Sequence, residues 1–229
     1  MTNRFFVSSD TISELKFIIK DPSLLHQMTR VLRFKPSEKI QLLDNTGKIY
    51  EARVMEINEK QICGKIENII EKPDMPKYKI NLCMALLKKD KFEWVLEKAC
   101  ELGVYEITPI VTKHCVKKID KIPERWHKIV REASEQCGRT ILPKINNIIA
   151  FKEAMKKYSP GIICYADTKN SIHDIELPEE INLYIGPEGD FTSEEILLAG
   201  QNKIEPVNLG SNVLRAETAA IATMAILNI

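Results

Sequence analysis

From residue 79 onward the chain alternates apolar strand-like runs with amphipathic helix-like ones, and this constrains the fold more than any other feature. KINLCMALL, residues 79–87, is a continuous apolar run. That is the pattern of a strand buried on both faces. DKFEWVLEKACELG follows, with Phe92, Val95, Leu96 and Ala99 at helical spacing. Asp90 is the expected cap of this helix, Glu93 its capping-box partner and Gly103 its stop. YEITPIVTK is the next strand. Pro123 suits the first turn of a second helix, PERWHKIVREASEQCG, with Trp126, Ile129, Val130 and Ala133 on one face. KINNIIA, GIICYA, INLYIG and PVNLG are further short strands, with a helix at FKEAMKKY between the first two. TSEEILLAG is a helix capped by Thr192 and Glu195 and ending at Gly200. A last helix covers roughly VLRAETAAIATMAILN. Strands alternating with helices predict an α/β fold, a mostly parallel sheet covered on both faces. Ligands of such sheets bind beyond the carboxyl ends of the strands.

The first 70 residues differ. RFFVSS, KIQLLDN, KIYEARVMEI and KQICGKIENII are strand candidates, with turns at Asn45, Thr46 and Gly47 and at Asn58, Glu59 and Lys60. One helical patch, SLLHQMTRVLR, interrupts them. Short, closely spaced strands predict a small antiparallel barrel or sandwich. EKPDMPKYK, with two prolines and three lysines, is a linker. The expected division is therefore 1–72 and 73–229, which suits a chain of 229 residues.

Composition removes several classes. With 44% hydrophobic and 28% charged residues the chain is neither disordered nor a disulfide-stapled scaffold. The six cysteines, at 63, 83, 100, 115, 137 and 164, form no CxxC pair, so no metal site is expected and the thiols are expected to be reduced. No apolar run approaches the ~20 residues of a membrane span. MTNRFFVSSD lacks the features of a signal peptide, so a cytoplasmic location is expected. The net charge of +1 hides an asymmetry. Residues 113–131 carry seven basic against two acidic side chains, and residues 72–91 carry six against two. Residues 171–229 carry two basic and ten acidic ones. Basic segments on a neutral chain fit a localised polyanion footprint, or simply solvated helix faces.

Three segments carry chemistry. In INLYIGPEGDFTSEEI a buried strand runs into Gly186, Pro187, Glu188 and Gly189, where the backbone can approach a ligand closely. An unoccupied strand-to-helix turn would look the same. In VNLGSNVLRAETAAIATMAIL a strand ends at Gly210, and Arg215 and Glu217 stand at the mouth of a helix of small residues. In RWHKIVREASEQCGRTILPKI, Arg131, Glu135 and Arg139 fall along one helical face, with Gln136 beside them. Two guanidiniums and an amide suit phosphate or base-edge contact, and equally a surface salt-bridge ladder. GxGxxG, the P-loop pattern, GxSxG and HExxH are all absent, and the histidines at 26, 114, 127 and 173 fall in no motif.

Taken together, GPEGDFTSEE resembles the glycine loop of the SPOUT methyltransferases, and LGSNVLRAETAA their C-terminal cofactor loop and helix. EKACELGVYEITPIVTKHC with RWHKIVREASEQCGR resembles the RsmE branch of that superfamily, and the likeness covers nearly the whole chain. The resemblance implies a SPOUT-type α/β domain with a deep trefoil knot, preceded by a small N-terminal PUA-like β-barrel that binds RNA. It implies a homodimer that uses S-adenosylmethionine to methylate N3 of a uridine in the decoding region of 16S rRNA, on the assembled 30S ribosomal subunit. Cofactor contact carries over to Pro109, Ile185, Gly186, Pro187, Glu188, Gly189, Leu209, Gly210, Val213, Leu214 and Thr218. Many relatives have G-x-R-[IV]-L-R where this chain has Asn212 and keeps only Arg215, so Arg215 becomes the active-site residue. Glu217 or solvent takes the N3 proton. Arg4, Arg30, Arg33, Lys88, Lys91, Arg131, Gln136 and Arg139 are the expected RNA contacts, with Lys35 and Lys89 beside them. Two other readings remain at this level: a SPOUT enzyme acting on another RNA or on a ribose 2′-hydroxyl, and a non-catalytic RNA-binding assembly factor. The last helix lies at the subunit contact or inside the knotted core.

Overall fold

The computed structural model describes residues 2–71, 78–116 and 119–228. The expected linker and the 72/73 boundary thus lie mostly outside the described residues. The chain divides into two compact units, one of residues 1–74 with 134–142, the other of 75–133 with 143–229.

The first unit is a six-stranded sheet: β1 (Asn3–Phe6), β2 (Ile12–Ser13), β3 (Lys16–Ile19), β4 (Lys39–Leu43), β5 (Lys48–Ile57) and β6 (Ile62–Glu71), in the order β1-β4-β5-β6-β3-β2. Its pairings are antiparallel except β1 with β4, which run parallel. Turn chemistry sets the long β5–β6 hairpin. The Asn58 carboxamide oxygen accepts from the amides of Lys60 and Gln61. Asn45 and Gly47, both at positive φ, turn the chain between β4 and β5. The helical patch forms α1 (Pro22–His26), capped by Asp21, whose carboxylate accepts from the Leu24 amide. It continues as one π-helical turn to Val31, and Leu24 and Met28 enter a core with Phe5, Phe17, Leu42 and Ile62.

A single cut in the chain does not isolate this unit, because residues 134–142 belong to it. Glu135 Oε1 accepts from the Phe6 amide at 2.9 Å. Leu142 packs on Phe6, Leu43 and Ile49, and its amide donates to Asn45 Oδ1 at 2.7 Å. A strand amide and a small buried apolar cluster thereby find partners in a remote segment.

The second unit contains β7 (Lys79–Ala85), α2 (Lys89–Glu101), β8 (Glu106–Val111), α3 (Glu124–Cys137, its last turn in the first unit), β9 (Lys144–Ile145), β10 (Ile149–Ala150), α4 (Phe151–Lys157), β11 (Gly161–Cys164), β12 (Glu180–Ile185), α5 (Ser193–Gln201), β13 (Ile204–Val207) and α6 (Ala216–Asn228). Its strands pair in the order β10-β8-β7-β12-β11-β13, with β9 on β8, and every pairing is parallel. The alternation along β7 shows why the run is apolar throughout. Ile80, Leu82 and Met84 enter one core with Phe92, Val95, Trp126 and Met224, while Cys83 and Ala85 enter another with Phe151, Tyr184 and Phe191. Phe92 and Trp126 stack at 4.3 Å between ring centroids.

Local details differ from expectation. Lys88, with no side-chain cap, precedes α2, and Asp90 stands in its first turn, where a carboxylate complements the helix dipole. KINNIIA splits into β9 and β10. The last helix starts at Ala216, which leaves 208–215 as a loop. Among the described residues no helix is long and apolar enough to cross a membrane, and no cluster of three or more His, Cys, Asp or Glu is arranged for a metal.

Candidate active site

Three neighbouring strands, β12, β11 and β13, end at one place. The segments that leave them enclose a cavity of about 360 Å³, lined by Ile185, Gly186, Pro187, Glu188 and Asp190, by Cys164, Tyr165 and Ala166, and by Val207, Leu209, Gly210, Asn212, Val213, Leu214 and Arg215. Ala216 and Ala219 of α6 and Lys91 of α2 complete it. The size is that of a small-molecule site. Gly186 sits tightly, because a Cβ there would stand 3.0 Å from the Phe191 ring and 3.2 Å from Asp190 Oδ1, and these side chains would have to give by a few tenths of an ångström. Gly210 is required by conformation, since its φ of +120° lies in the region that side chains oppose.

The glycine loop is held from outside. His114 Nδ1 lies 2.8 Å from the Gly189 carbonyl and 3.0 Å from that of Asp190. The expected capping box forms, with Thr192 accepting from the Glu195 amide and the Glu195 carboxylate from the Thr192 amide. That carboxylate also accepts from the Lys113 amide at 2.9 Å, which ties the segment after β8 to the loop. Burial pushes the Asp190 carboxyl above the usual carboxylate range, against the opposing effects of the Phe191 amide and His114. Cys164 lines the floor, and burial pushes its thiol up to about 12. It therefore stays protonated near neutral pH and is not a nucleophile.

Two charged residues stand where the 208–215 loop enters α6. Arg215 is exposed at the end of the 208–215 loop and lines the cavity. Glu217 is only 6% exposed, in the first turn of α6, and its Oε2 is buried without a hydrogen bond. Lys91 Nζ lies 3.4 Å from that oxygen and 3.6 Å from Glu188 Oε1. A cavity lined by the carboxyl groups of Glu188 and Asp190 suits a cationic centre, and Glu217 reaches it only through Lys91. A guanidinium on its rim suits a group that gains negative charge.

Of the residues expected to hold a cofactor, Ile185, Gly186, Pro187, Glu188, Leu209, Gly210, Val213 and Leu214 line the cavity. Gly189 belongs to the same loop but turns its carbonyl to His114. Thr218 is exposed on α6, and Pro109 is buried within β8 opposite Met84; neither lines the cavity. The third wall is instead the end of β11, where only a strand ending in Cys-Tyr-Ala marked the place. Asp190 and Asn212 were not singled out for the cavity either. The expected RNA contacts divide between the two units. Arg30, Arg33, Lys88, Arg131 and Gln136 are exposed. Arg4 donates to Gln41 and its guanidinium covers Gly138, while Arg139 is 8% exposed, beyond the end of α3. Lys91 stands at the cavity.

Residues 73–228 match the model of an RNA methyltransferase domain, and residues 25–67 that of an RNA methyltransferase PUA domain. The chain is 32% identical to ribosomal RNA small subunit methyltransferase E of Rickettsia conorii, covering 97% of this chain and 93% of that one. It is 34% identical to the protein of the same name from Mesomycoplasma hyopneumoniae, covering 95% of each. Lpg2936 from Legionella pneumophila, solved with the cofactor SAM bound, superposes with a TM-score of 0.92 at 30% identity, covering 99% of this chain and 97% of that one. Ribosomal RNA small subunit methyltransferase E from Neisseria gonorrhoeae, bound to S-adenosyl methionine, gives 0.90 at 28% identity with the same coverage. Matched over two thirds of its length by the RNA methyltransferase domain model and over nearly all of it by these relatives, the chain belongs to the ribosomal RNA small subunit methyltransferase E family of RNA methyltransferases.

Proposed function

We propose that this chain transfers a methyl group from S-adenosylmethionine to N3 of one uridine in the decoding region of 16S rRNA, on the assembled 30S subunit. It acts as a cytoplasmic homodimer. Residues 1–72 form a PUA-like barrel that holds RNA, and 73–229 a SPOUT domain whose C-terminal loops are tied in a deep trefoil knot. The observation that carries the reading is the convergence of the 186–190 and 208–215 loops on one cavity with Arg215 at its rim.

The residues present fit the cofactor. Ile185, Leu209, Val213 and Leu214 offer apolar surface to a nucleoside, the glycine loops offer close backbone, and the carboxylate of Glu188 favours a cation. When bound, S-adenosylmethionine supplies an electrophilic methyl on a sulfonium, and transfer breaks the carbon–sulfur bond with the electron pair left on a neutral sulfur. The protein's own part is placement and charge. In-line displacement depends on alignment, which rigid loops provide. Arg215 faces the uracil carbonyl oxygens and stabilises the negative charge that grows on them as N3 loses its proton. Glu217 accepts that proton.

RNA is held by the exposed basic side chains, Arg30 and Arg33 among them, through phosphate contacts that position without reading sequence. Arg30→Ala with Arg33→Ala is expected to weaken 30S binding and to flatten the dependence of log K on log salt by about 1 for each lost contact. SAM affinity stays unchanged. A fall in SAM affinity equal to that for RNA would assign these arginines to folding instead.

Calorimetric titration with S-adenosylmethionine, followed by mapping of the nucleotide methylated in 30S subunits, tests the whole reading. Saturable binding and N-methyluridine are expected. A methylated ribose would move the chain to a 2′-hydroxyl chemistry, and no binding even with 30S present would make it an assembly factor.

A further inference from the structure

Lys91 occupies a place that its sequence context does not announce. It lies in the first turn of α2, yet its ammonium stands between Glu188 of the glycine loop, at 3.6 Å, and Glu217 of α6, at 3.4 Å. Three separate elements therefore meet on one charge at the edge of the cavity. The Glu217 oxygen it faces is buried and accepts no hydrogen bond. A buried carboxylate without a cation is costly, so this contact is what makes the position tenable. An RNA phosphate could recruit Lys91 only by taking it from both carboxylates.

We propose that Lys91 is a positioning residue for the transfer step. It holds the Glu217 carboxylate in register with the reacting base and, through Glu188, fixes the 186–190 loop against α2. It does not bind RNA. This rests on the reading of Glu217 as the group that accepts the N3 proton.

The test is a double-mutant cycle read by single-turnover methylation of 30S subunits at saturating S-adenosylmethionine. Lys91→Met is expected to lower the saturating rate at least about tenfold, because misplacing a reacting group is expensive. The 30S concentration for half-saturation stays within about twofold of wild type. Lys91→Arg, which keeps the charge, recovers most of the rate. On a Glu217→Gln background, Lys91→Met adds less than about a further twofold, since the two residues act through one contact. Should Lys91→Met fail to fold, Lys91→Gln takes its place in the cycle. A raised half-saturation with an unchanged saturating rate would return Lys91 to the RNA interface. Multiplying effects in the double variant would show that it acts apart from Glu217. If Glu217→Gln alone turns over at the wild-type rate, the proton-acceptor reading falls first and takes this proposal with it. That outcome is distinct from an additive cycle, which removes only the role of Lys91.

Discussion

Arg215→Ala should abolish most of the methyl transfer while leaving the cofactor bound. The uracil N3 proton must leave before or during attack, and the charge left behind spreads onto the flanking carbonyl oxygens. A guanidinium fixed there is worth more in the transition state than in the ground state, so its loss falls on the rate and not on binding. Removing one such donor from an oxyanion site costs about 100- to 1,000-fold in rate. We expect that loss in single-turnover methylation of 30S subunits. Arg215→Lys should recover only part of it, because an ammonium cannot reproduce the planar fork. Arg215 is exposed, so the fold should survive with an unchanged melting temperature. S-adenosylmethionine affinity by calorimetry should stay within about twofold. A parallel loss of cofactor affinity would mean that Arg215 belongs to the cofactor wall and that another group faces the base.

The legibility of this site follows from what each part needs. Strands buried on both faces must be apolar throughout, so β7 and β12 stand out in the sequence as KINLCMA and INLYI. The glycines at the strand ends are legible because the backbone there disfavours a side chain, at Gly186 through tight contacts with Phe191 and Asp190 and at Gly210 through its positive φ. The capping box of α5 is local chemistry and was readable from Thr192 and Glu195 alone. By contrast β3 is four residues long, with only Phe17 and Ile19 turned inward, too short a period to separate from a turn. The return of residues 134–142 to the first unit is marked by the Phe6 amide donating to Glu135 and by Leu142 packing on the cluster around Leu43, neither visible in a linear pattern. The approach of Lys91 to Glu217 joins two helices remote in sequence, and nothing periodic marks it. The end of β11 was missed as a wall for a related reason. Its residues are ordinary, and only the strand order β12-β11-β13 brings them beside both glycine loops.

Gly186→Val is expected to weaken S-adenosylmethionine binding by up to about two orders of magnitude while the protein stays folded. The residue sits at the carboxyl end of β12, where a Cβ would already press on the Phe191 ring at 3.0 Å and on Asp190 Oδ1 at 3.2 Å. Two further methyl groups cannot be taken up by a small rotation of Phe191, because that ring is 4% exposed and packs on Phe151 at 5.2 Å between centroids. The glycine loop must therefore move, either into the cavity or away from the His114 contacts that hold it. Overpacking of this kind costs about 1–3 kcal/mol. Since about 1.4 kcal/mol is a factor of ten, charging that cost to the bound state weakens cofactor affinity about 5- to 150-fold. Calorimetry measures this directly, and circular dichroism and thermal melting verify the fold. Gly186→Ala, which adds only the Cβ, should lie between wild type and valine. Unchanged affinity in both variants would mean that the ligand does not approach this loop, and the cavity between β12, β11 and β13 would lose its claim to the cofactor.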